Sequence, residues 1–329
     1  MKTLFGKELT ETSAASIIFN TDKIMSKRYP IVLSIAGSDS VGGAGIQADI
    51  KAISATGSYA ATAVTAVTVQ NTLGVEAVHP VPPEIVEAQI NSVLSDIGAD
   101  AVKIGMLHSA ELIRGVKHSL KKFNITNIVL DPVMVSTSGH RLLQEDAVQV
   151  LINELIPMAR IITPNIPEAE ILLCKRIDSQ EELKQAAIDL SNIFSAQSSF
   201  TAIGPNIKSS DIASKSCGKV SVLMKAGHAI VNSTSLSGQA LLTDVFYNAE
   251  DDKFSELPSL YINTRNTHGT GCTLSSAIAS YLAQGESLEN AVRRGKDYIA
   301  NAIKCGAEYE IGHGHGPVNH FWGMLNTLN

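Results

Sequence analysis

Residues 266–282 read NTHGTGCTLSSAIASYL, a loop of Thr and Gly running into an apolar, small-residue helix with Cys272 at the joint. The first N–H groups of a helix have no intrahelical partner, and the helix dipole favours negative charge there. Gly269, Thr270 and Gly271 ahead of that helix therefore suit an anion such as a phosphate. The thiol is the odd member: it either moves a proton or fills a small buried space. A second Gly cluster, Gly37 followed by Gly42, Gly43 and Gly45, has Asp39 and Asp49 beside it. No GxxxxGK[ST] occurs in the chain, and the first cluster does not fit GxGxxG with an acidic partner further on, which disfavours a dinucleotide oxidoreductase.

Other residues of chemical interest stand where apolar runs end. TPNIPEAE (163–170) holds Asn165 and Glu168 in an N-x-x-E spacing. That pair could order waters around Mg²⁺, a hard cation that keeps several waters and substrate phosphates as ligands. It is equally the spacing of a capping box, with Asn165 as cap and Glu168 at the third helical position. Asp131 precedes Pro132 at one strand end and Lys225 follows another. Each could meet phosphate or simply finish a strand. Gln70 and Asn71 offer amides able to read a heterocycle by paired hydrogen bonds. His313 and His315 in GHGHG read as a turn with packing or hydrogen-bonding roles rather than as a metal site.

The elements that must position these residues alternate. Ile31–Ala36 reads as a buried strand, and a helix begins at Ala44 with Ile46, Ile50 and Ile53 on one face. Tyr59–Val69 reads as strand and Pro83–Ile97 as helix. Strand 101–104 leads to helix 110–122, strand 127–130 to helix 145–156, and strand 161–163 to a short helix after Pro167. Strand 220–224, a two-strand excursion over 229–231 and 240–247, and helices 271–283 and 288–307 complete the order. Such alternation predicts an α/β fold, a mostly parallel sheet covered on both faces, with ligands outside the carboxyl ends of the strands. Residues 195–218 are Ser-rich with little periodicity and read as a surface insertion; residues 1–29 read as a poorly ordered arm, with Met25 as a second candidate start. Residues 30–329 then form one domain.

Composition narrows the function classes. The 329 residues are 44% hydrophobic and 18% charged, with a formal net charge of −6. No Lys/Arg cluster marks a nucleic-acid binder. No stretch approaches the roughly 20 apolar residues of a membrane span, and no signal-peptide core is present. Cys174, Cys217, Cys272 and Cys305 have no metal-ligand spacing and read as reduced thiols of a cytoplasmic protein.

Taken together, IAGSDSVGGAGIQADIKA (35–52), VTVQNTLGV (67–75), VKIGML (102–107), VLDPVM (129–134), ITPNIPEAE (162–170), LMKAGH (223–228), NTHGTGCTLSSAIAS (266–280) and GHGHGPV (312–318) resemble, in order, the hydroxymethylpyrimidine/phosphomethylpyrimidine kinases of the ribokinase-like superfamily. The resemblance implies a three-layer α/β/α fold, ATP and Mg²⁺ as cosubstrates, and usually a homodimer. It implies phosphorylation of 4-amino-5-hydroxymethyl-2-methylpyrimidine and then of its monophosphate, for thiamine biosynthesis. By the same resemblance Gln70 pairs with the aminopyrimidine, and Asp49, Gly37, Met106 and Val133 line its pocket. Asn165 and Glu168 act with Mg²⁺ and the phosphates, Lys225 lies beside them, and Gly269–Cys272 form the anion hole. Cys272 takes the place of the Asp base of sugar kinases, and a helix N-terminus lowers a thiol's pKa, so a thiolate base is expected. KAGH stands where KGGH is usual, and Val41 where a small polar residue is usual. The alternatives are a pyridoxal/pyridoxine kinase with the same Cys-type anion hole, or a non-catalytic pyrimidine sensor, which the presence of Asp49, Glu168, Lys225 and Cys272 disfavours.

Overall fold

The computed structural model describes residues 28–134, 142–201, 218–227, 231–234 and 240–325. The expected arm, apart from its last two residues, and residues 202–217 of the expected insertion lie outside them. Among the described residues one ten-stranded sheet organises the chain. β1 (Ile31–Ser38) leads through α1 (Gly45–Ala55) to β2 (Tyr59–Asn71), which pairs parallel with β1. β3 (Gly74–Pro80) returns antiparallel along β2. After α2 (Pro83–Asp96) the chain crosses to the other side of β1 and adds β4 (Ala101–Ile104), β5 (Ile128–Leu130), β6 (Ile161–Ile162) and β7 (Ser221–Met224), all parallel. β8 (Val231–Thr234), β9 (Ala240–Asn248) and β10 (Lys253–Leu260) then run antiparallel at that edge.

Strand side chains alternate between two cores, as period-2 geometry requires. Leu33, Ile35, Val102, Ile104, Ile128, Leu130, Val222 and Met224 face one core. Val32, Ala101, Val129, Ile161 and Leu223 face the other. The first is covered by α2, α3 (Ala110–Lys122), α4 (Glu145–Val150) and α6 (Gln180–Thr201), the second by α1, α7 (Thr270–Ala283) and α8 (Leu288–Gly306). At about 1.5–3 kcal/mol per fully buried Leu, Ile or Val side chain, these two faces supply the main drive to fold. The expected three-layer α/β/α architecture is the one observed.

Several elements depart from the sequence reading. β3, β10 and α6 go beyond it. α6 carries its own signal: Leu183, Ala186, Ala187, Leu190 and Phe194 recur at helical spacing and are all buried. The backbone of residues 195–201 continues this helix, so the expected insertion begins later. The helix expected over 145–156 is regular only to Val150. It then widens into a π turn over Leu151–Leu155 and tightens to a 3₁₀ turn over Ile156–Met158. Pro157 has no N–H to donate to Asn153, which ends the regular ladder there.

The strand order reverses between β1 and β4, the place where a parallel α/β sheet opens a crevice at its carboxyl edge. Gly37, near the end of β1, and Met106, just past β4, stand on either side of it.

Candidate active site

The two Gly clusters meet at this crevice. Gly269 caps α7 with φ +80°, and a Cβ on it would run into the carbonyl oxygen of Gly43. The φ value and the contact each require glycine. Asp39 shapes the first cluster: its carboxylate accepts hydrogen bonds from the backbone N–H groups of Val41 (3.1 Å), Gly43 (2.9 Å) and Ala44 (2.7 Å). His268 Nε2 lies 2.9 Å from the same carboxylate. Burial opposes the charge, but the His268 contact and the backbone donors hold the Asp39 carboxyl below its ordinary range. Ser40 Oγ donates to the Thr68 carbonyl at 2.7 Å and ties the loop to β2.

The GHGHG segment closes the loop from outside. The backbone N–H groups of His313 and Gly314 donate to Thr72 Oγ1, and that of His315 donates to the Thr72 carbonyl. His268 N–H donates to the Gly316 carbonyl at 3.0 Å. Both imidazoles of the motif are exposed, and its role here is the turn with hydrogen bonds that the sequence suggests.

A cavity of 360 Å³ opens over this crevice, lined among others by Gly37, Gln70, Met106, Val133, Asn165, Glu168, Lys225 and Gly269–Cys272. Of the expected site residues, Asp49 and Asn71 do not line it, and the Asn71 amide instead bonds Glu76 and the N–H groups of Leu73 and Gly74 in the hairpin turn. The Asp49 side chain is fully buried beneath the floor, where Lys103 Nζ reaches both its oxygens at 2.8 Å. Ser34 Oγ and Ser276 Oγ donate to it at 2.6 and 2.7 Å. A buried carboxylate must be paired and hydrogen-bonded, and this saturation leaves Asp49 a structural role rather than the pocket-lining one expected. Lys103 itself escaped the sequence reading. Its signal was a charge inside the apolar strand AVKI, which is tolerated only opposite a counter-charge.

A second cavity of 150 Å³ adjoins the first and shares Lys225, Thr267, Thr270 and Gly271 with it. Leu242, Leu260, Ile262, Leu274, Ile299 and Ile303 give it apolar walls, and the ion pair of Asp244 with Lys296 closes one side. This slot suits a flat heterocycle, and the shared wall between the cavities is where phosphates would lie.

That wall carries the charged groups. Lys225 N–H donates to the Pro164 carbonyl, which brings Lys225 beside Asn165 across the ends of β6 and β7. Lys225 Nζ donates to Asp131 Oδ1 at 2.7 Å, and Thr163 Oγ1 donates to the same oxygen at 2.9 Å. Burial opposes the Lys225 charge, yet Asp131 and Glu168 outweigh it and raise the ammonium above its usual range. Asn165 and Glu168 form a complete capping box on α5 (Ile166–Leu173), so one of the two alternatives for N-x-x-E is realised. The box spends one Glu168 oxygen on the Asn165 N–H. Burial pushes the Glu168 carboxyl up to about 7, Lys225 opposes this, and Asp131 adds to it.

Cys272 departs from expectation. Burial drives its thiol up to about 11, and the Lys103 charge does not offset this because Asp49 and Asp131 act in the opposite direction. The helix terminus alone does not make a thiolate here.

Fold and site together define a small-molecule kinase of the ribokinase-like type: two adjoining cavities at the carboxyl edge of a parallel sheet, joined at a glycine anion hole. The profile of the phosphomethylpyrimidine kinase family matches residues 39–200 and 201–319. The hydroxymethylpyrimidine/phosphomethylpyrimidine kinase of Rhizobium meliloti is 45% identical over 88% of this chain and 97% of its own length. The crystal structure of phosphomethylpyrimidine kinase from Clostridium difficile shares 41% identity at a TM-score of 0.63, covering 83% of this chain and 99% of that one. Pyridoxal kinase from Bacillus subtilis, in an ADP complex, shares 30% at a TM-score of 0.73, covering 91% of this chain and 100% of that one. The chain belongs to the phosphomethylpyrimidine kinase family. It spans 54% of the thiamine biosynthesis bifunctional protein ThiED of Geobacter sulfurreducens, to which it is 42% identical. Among the described residues no helix is long and apolar enough to cross a membrane.

Proposed function

We propose that this chain transfers the terminal phosphoryl group of ATP first to the hydroxymethyl group of 4-amino-5-hydroxymethyl-2-methylpyrimidine and then to the resulting monophosphate. The observation that carries the reading is the pair of cavities meeting at Lys225, Thr270 and Gly271. The apolar slot takes the adenine, the larger cavity takes the pyrimidine against Gln70 and Met106, and the phosphates bridge them. Phosphoryl transfer asks for positioning and charge neutralisation more than covalent chemistry. The Thr270 N–H is taken by the Thr267 carbonyl, so the N–H groups of Gly271 and Cys272 at the start of α7 would meet the developing charge, and Lys225 adds a cation beside them. Gly271 has no side chain there, and a Cβ would stand 3.1 Å from Lys225 Nζ.

Mg²⁺ fits this wall. Asp131 and Glu168 place two carboxyls around one ammonium, a donor set of hard oxygens beside the shared wall. Asn165 and Glu168 would hold the ion through water, and when bound it would neutralise phosphate charge. With a thiol near 11, Cys272 is neutral at physiological pH, so the backbone anion hole carries the catalytic load in this reading.

A homodimer is part of the proposal. Val67, Val69 and Leu73 on the β2–β3 hairpin are large, apolar and exposed, and suit burial against a second copy. With its cysteines read as reduced thiols, the protein is proposed to act in the cytoplasm. The test is turnover of the pyrimidine alcohol, its monophosphate and pyridoxine side by side, followed by ADP release. Failure with both pyrimidines refutes the reading, and preference for pyridoxine transfers it to the B6 kinases.

A further inference from the structure

Gln70, Thr68, His268 and Asp39 all line the larger cavity, and their contacts contain an unresolved polarity. Gln70 Nε2 stands 3.2 Å from His268 Nε2, and Gln70 Oε1 stands 3.3 Å from Thr68 Oγ1. The nitrogen and oxygen of an amide exchange places by a half turn, and the hydrogen-bond network decides which is where. A carboxylate can only accept, so His268 Nε2 carries its one hydrogen toward Asp39 Oδ2 at 2.9 Å, shared with the amide atom 3.2 Å away, and has no lone pair to offer an amide N–H. An amide NH₂ facing that N–H sets donor against donor. At the other end the Thr68 hydroxyl hydrogen goes to the Ser38 carbonyl at 2.7 Å, which leaves only lone pairs toward the amide. An amide oxygen there sets acceptor against acceptor. Both ends demand the same half turn.

We infer that Asp39 and His268 hold the Gln70 amide with its oxygen toward His268 and its NH₂ toward Thr68, fixing the order of acceptor and donor that the pocket presents to a heteroaromatic edge. The inference deepens the proposed function and rests on it. An aminopyrimidine edge carries an exocyclic NH₂ donor next to a ring nitrogen acceptor. It matches this order with the amino group on the His268 side. Carbon 4, which bears the amino group, adjoins carbon 5, which bears the hydroxymethyl. The same orientation therefore sends the reacting hydroxyl toward the loop that follows His268, namely Gly269–Cys272. A 4-oxo analogue reverses the order, with a ring N–H donor beside a carbonyl acceptor, and could pair only after the amide turned against the Asp39–His268 pair. The His268 ring is fixed in place, since it packs against Gly43 and its backbone N–H donates to the Gly316 carbonyl. His268 is thus a positioning residue that acts through Gln70.

The experiment compares kcat/KM for the 4-amino and 4-oxo hydroxymethylpyrimidines in the wild type, His268→Ala, Thr68→Val and Thr68→Ser. Each of the first two variants frees one end of the amide, and the expected result is that the preference for the amino compound narrows about tenfold, the weight of one hydrogen bond, while Thr68→Ser keeps it. A purely structural role lowers both substrates together and leaves the ratio in place. An unchanged ratio in both His268→Ala and Thr68→Val, with the wild type active, overturns this inference alone. A wild type that turns over neither compound overturns the substrate reading and the inference with it. Should a variant not fold, a crystal structure of the wild type with the aminopyrimidine decides: the amino nitrogen on the Thr68 side would overturn the inference.

Discussion

Replacing Lys103 with Met removes a charge from the centre of β4 without shortening the side chain much. Lys103 and Asp49 are both fully buried, and the ammonium is 2.8 Å from each carboxylate oxygen. In the variant the Asp49 carboxylate keeps only the hydroxyls of Ser34 and Ser276. Leaving one partner of a buried pair uncompensated costs about 3–5 kcal/mol. For a domain of this size that corresponds to a fall in Tm on the order of 10 °C. Removing both charges, in Lys103→Met with Asp49→Asn, recovers most of the loss, because the penalty lies in the orphaned carboxylate. Burial opposes the Lys103 charge but Asp49 outweighs it, and the ammonium titrates above the ordinary 10.5. A raised lysine contributes fully below its unfolded pKa and loses its contribution only as pH climbs through the folded value. The deficit of Lys103→Met therefore stays constant between about pH 6 and 9. Urea unfolding of the two single variants and the double variant reads all three quantities. A single-variant cost below about 1 kcal/mol, or a double variant as weak as the sum of the singles, would refute the reasoning.

Cys272→Ala is expected to keep turnover within about tenfold of the wild type, since loss of a true general base costs about 10²–10⁴; a larger drop in kcat restores the base role. Alkylation of the Cys272 peptide by iodoacetamide, followed by mass spectrometry, should rise with pH toward about 11, and a plateau near pH 8 would contradict the burial argument. Glu168→Gln keeps the capping geometry, since Gln also serves at that position, but removes the charge. Because the Glu168 carboxyl is raised from 4.5 to about 7, the folded protein holds a proton that the unfolded chain lacks between those values. Wild-type stability then falls as pH climbs through that window, and the variant flattens the fall in urea titrations while losing phosphotransfer. Gly269→Ala pushes a Cβ into the Gly43 carbonyl at φ +80° and should cost about 1–3 kcal/mol together with most activity. A soluble, active variant with wild-type Tm would show that the two loops need not touch.

The sequence by itself determined the alternation of the parallel strands and most of their helices, because apolar periodicity is local and survives any packing, while β3, α6 and β10 go beyond it. It also marked the loops: Gly37–Gly45, Gln70, Asn165–Glu168, Lys225 and Gly269–Cys272 all reach one site, since each ends a strand or opens a helix at the sheet's carboxyl edge. The capping box was legible but shared its spacing with a cation site, so spacing could not separate the two. Tertiary structure alone decided three things. Asp49 went under the floor because its partner Lys103 lies 54 positions away on another strand, and no local pattern announces such a pairing. The Cys272 thiol is pushed up rather than down because desolvation and two neighbouring carboxylates, set by packing across the sheet, act against the Lys103 charge. Gln70 meets His268, itself held by Asp39, only because residues from distant parts of the chain converge on one cavity. Local chemistry states which groups can react, but dielectric, charge neighbours and hydrogen-bond partners belong to three dimensions, and they set protonation and orientation.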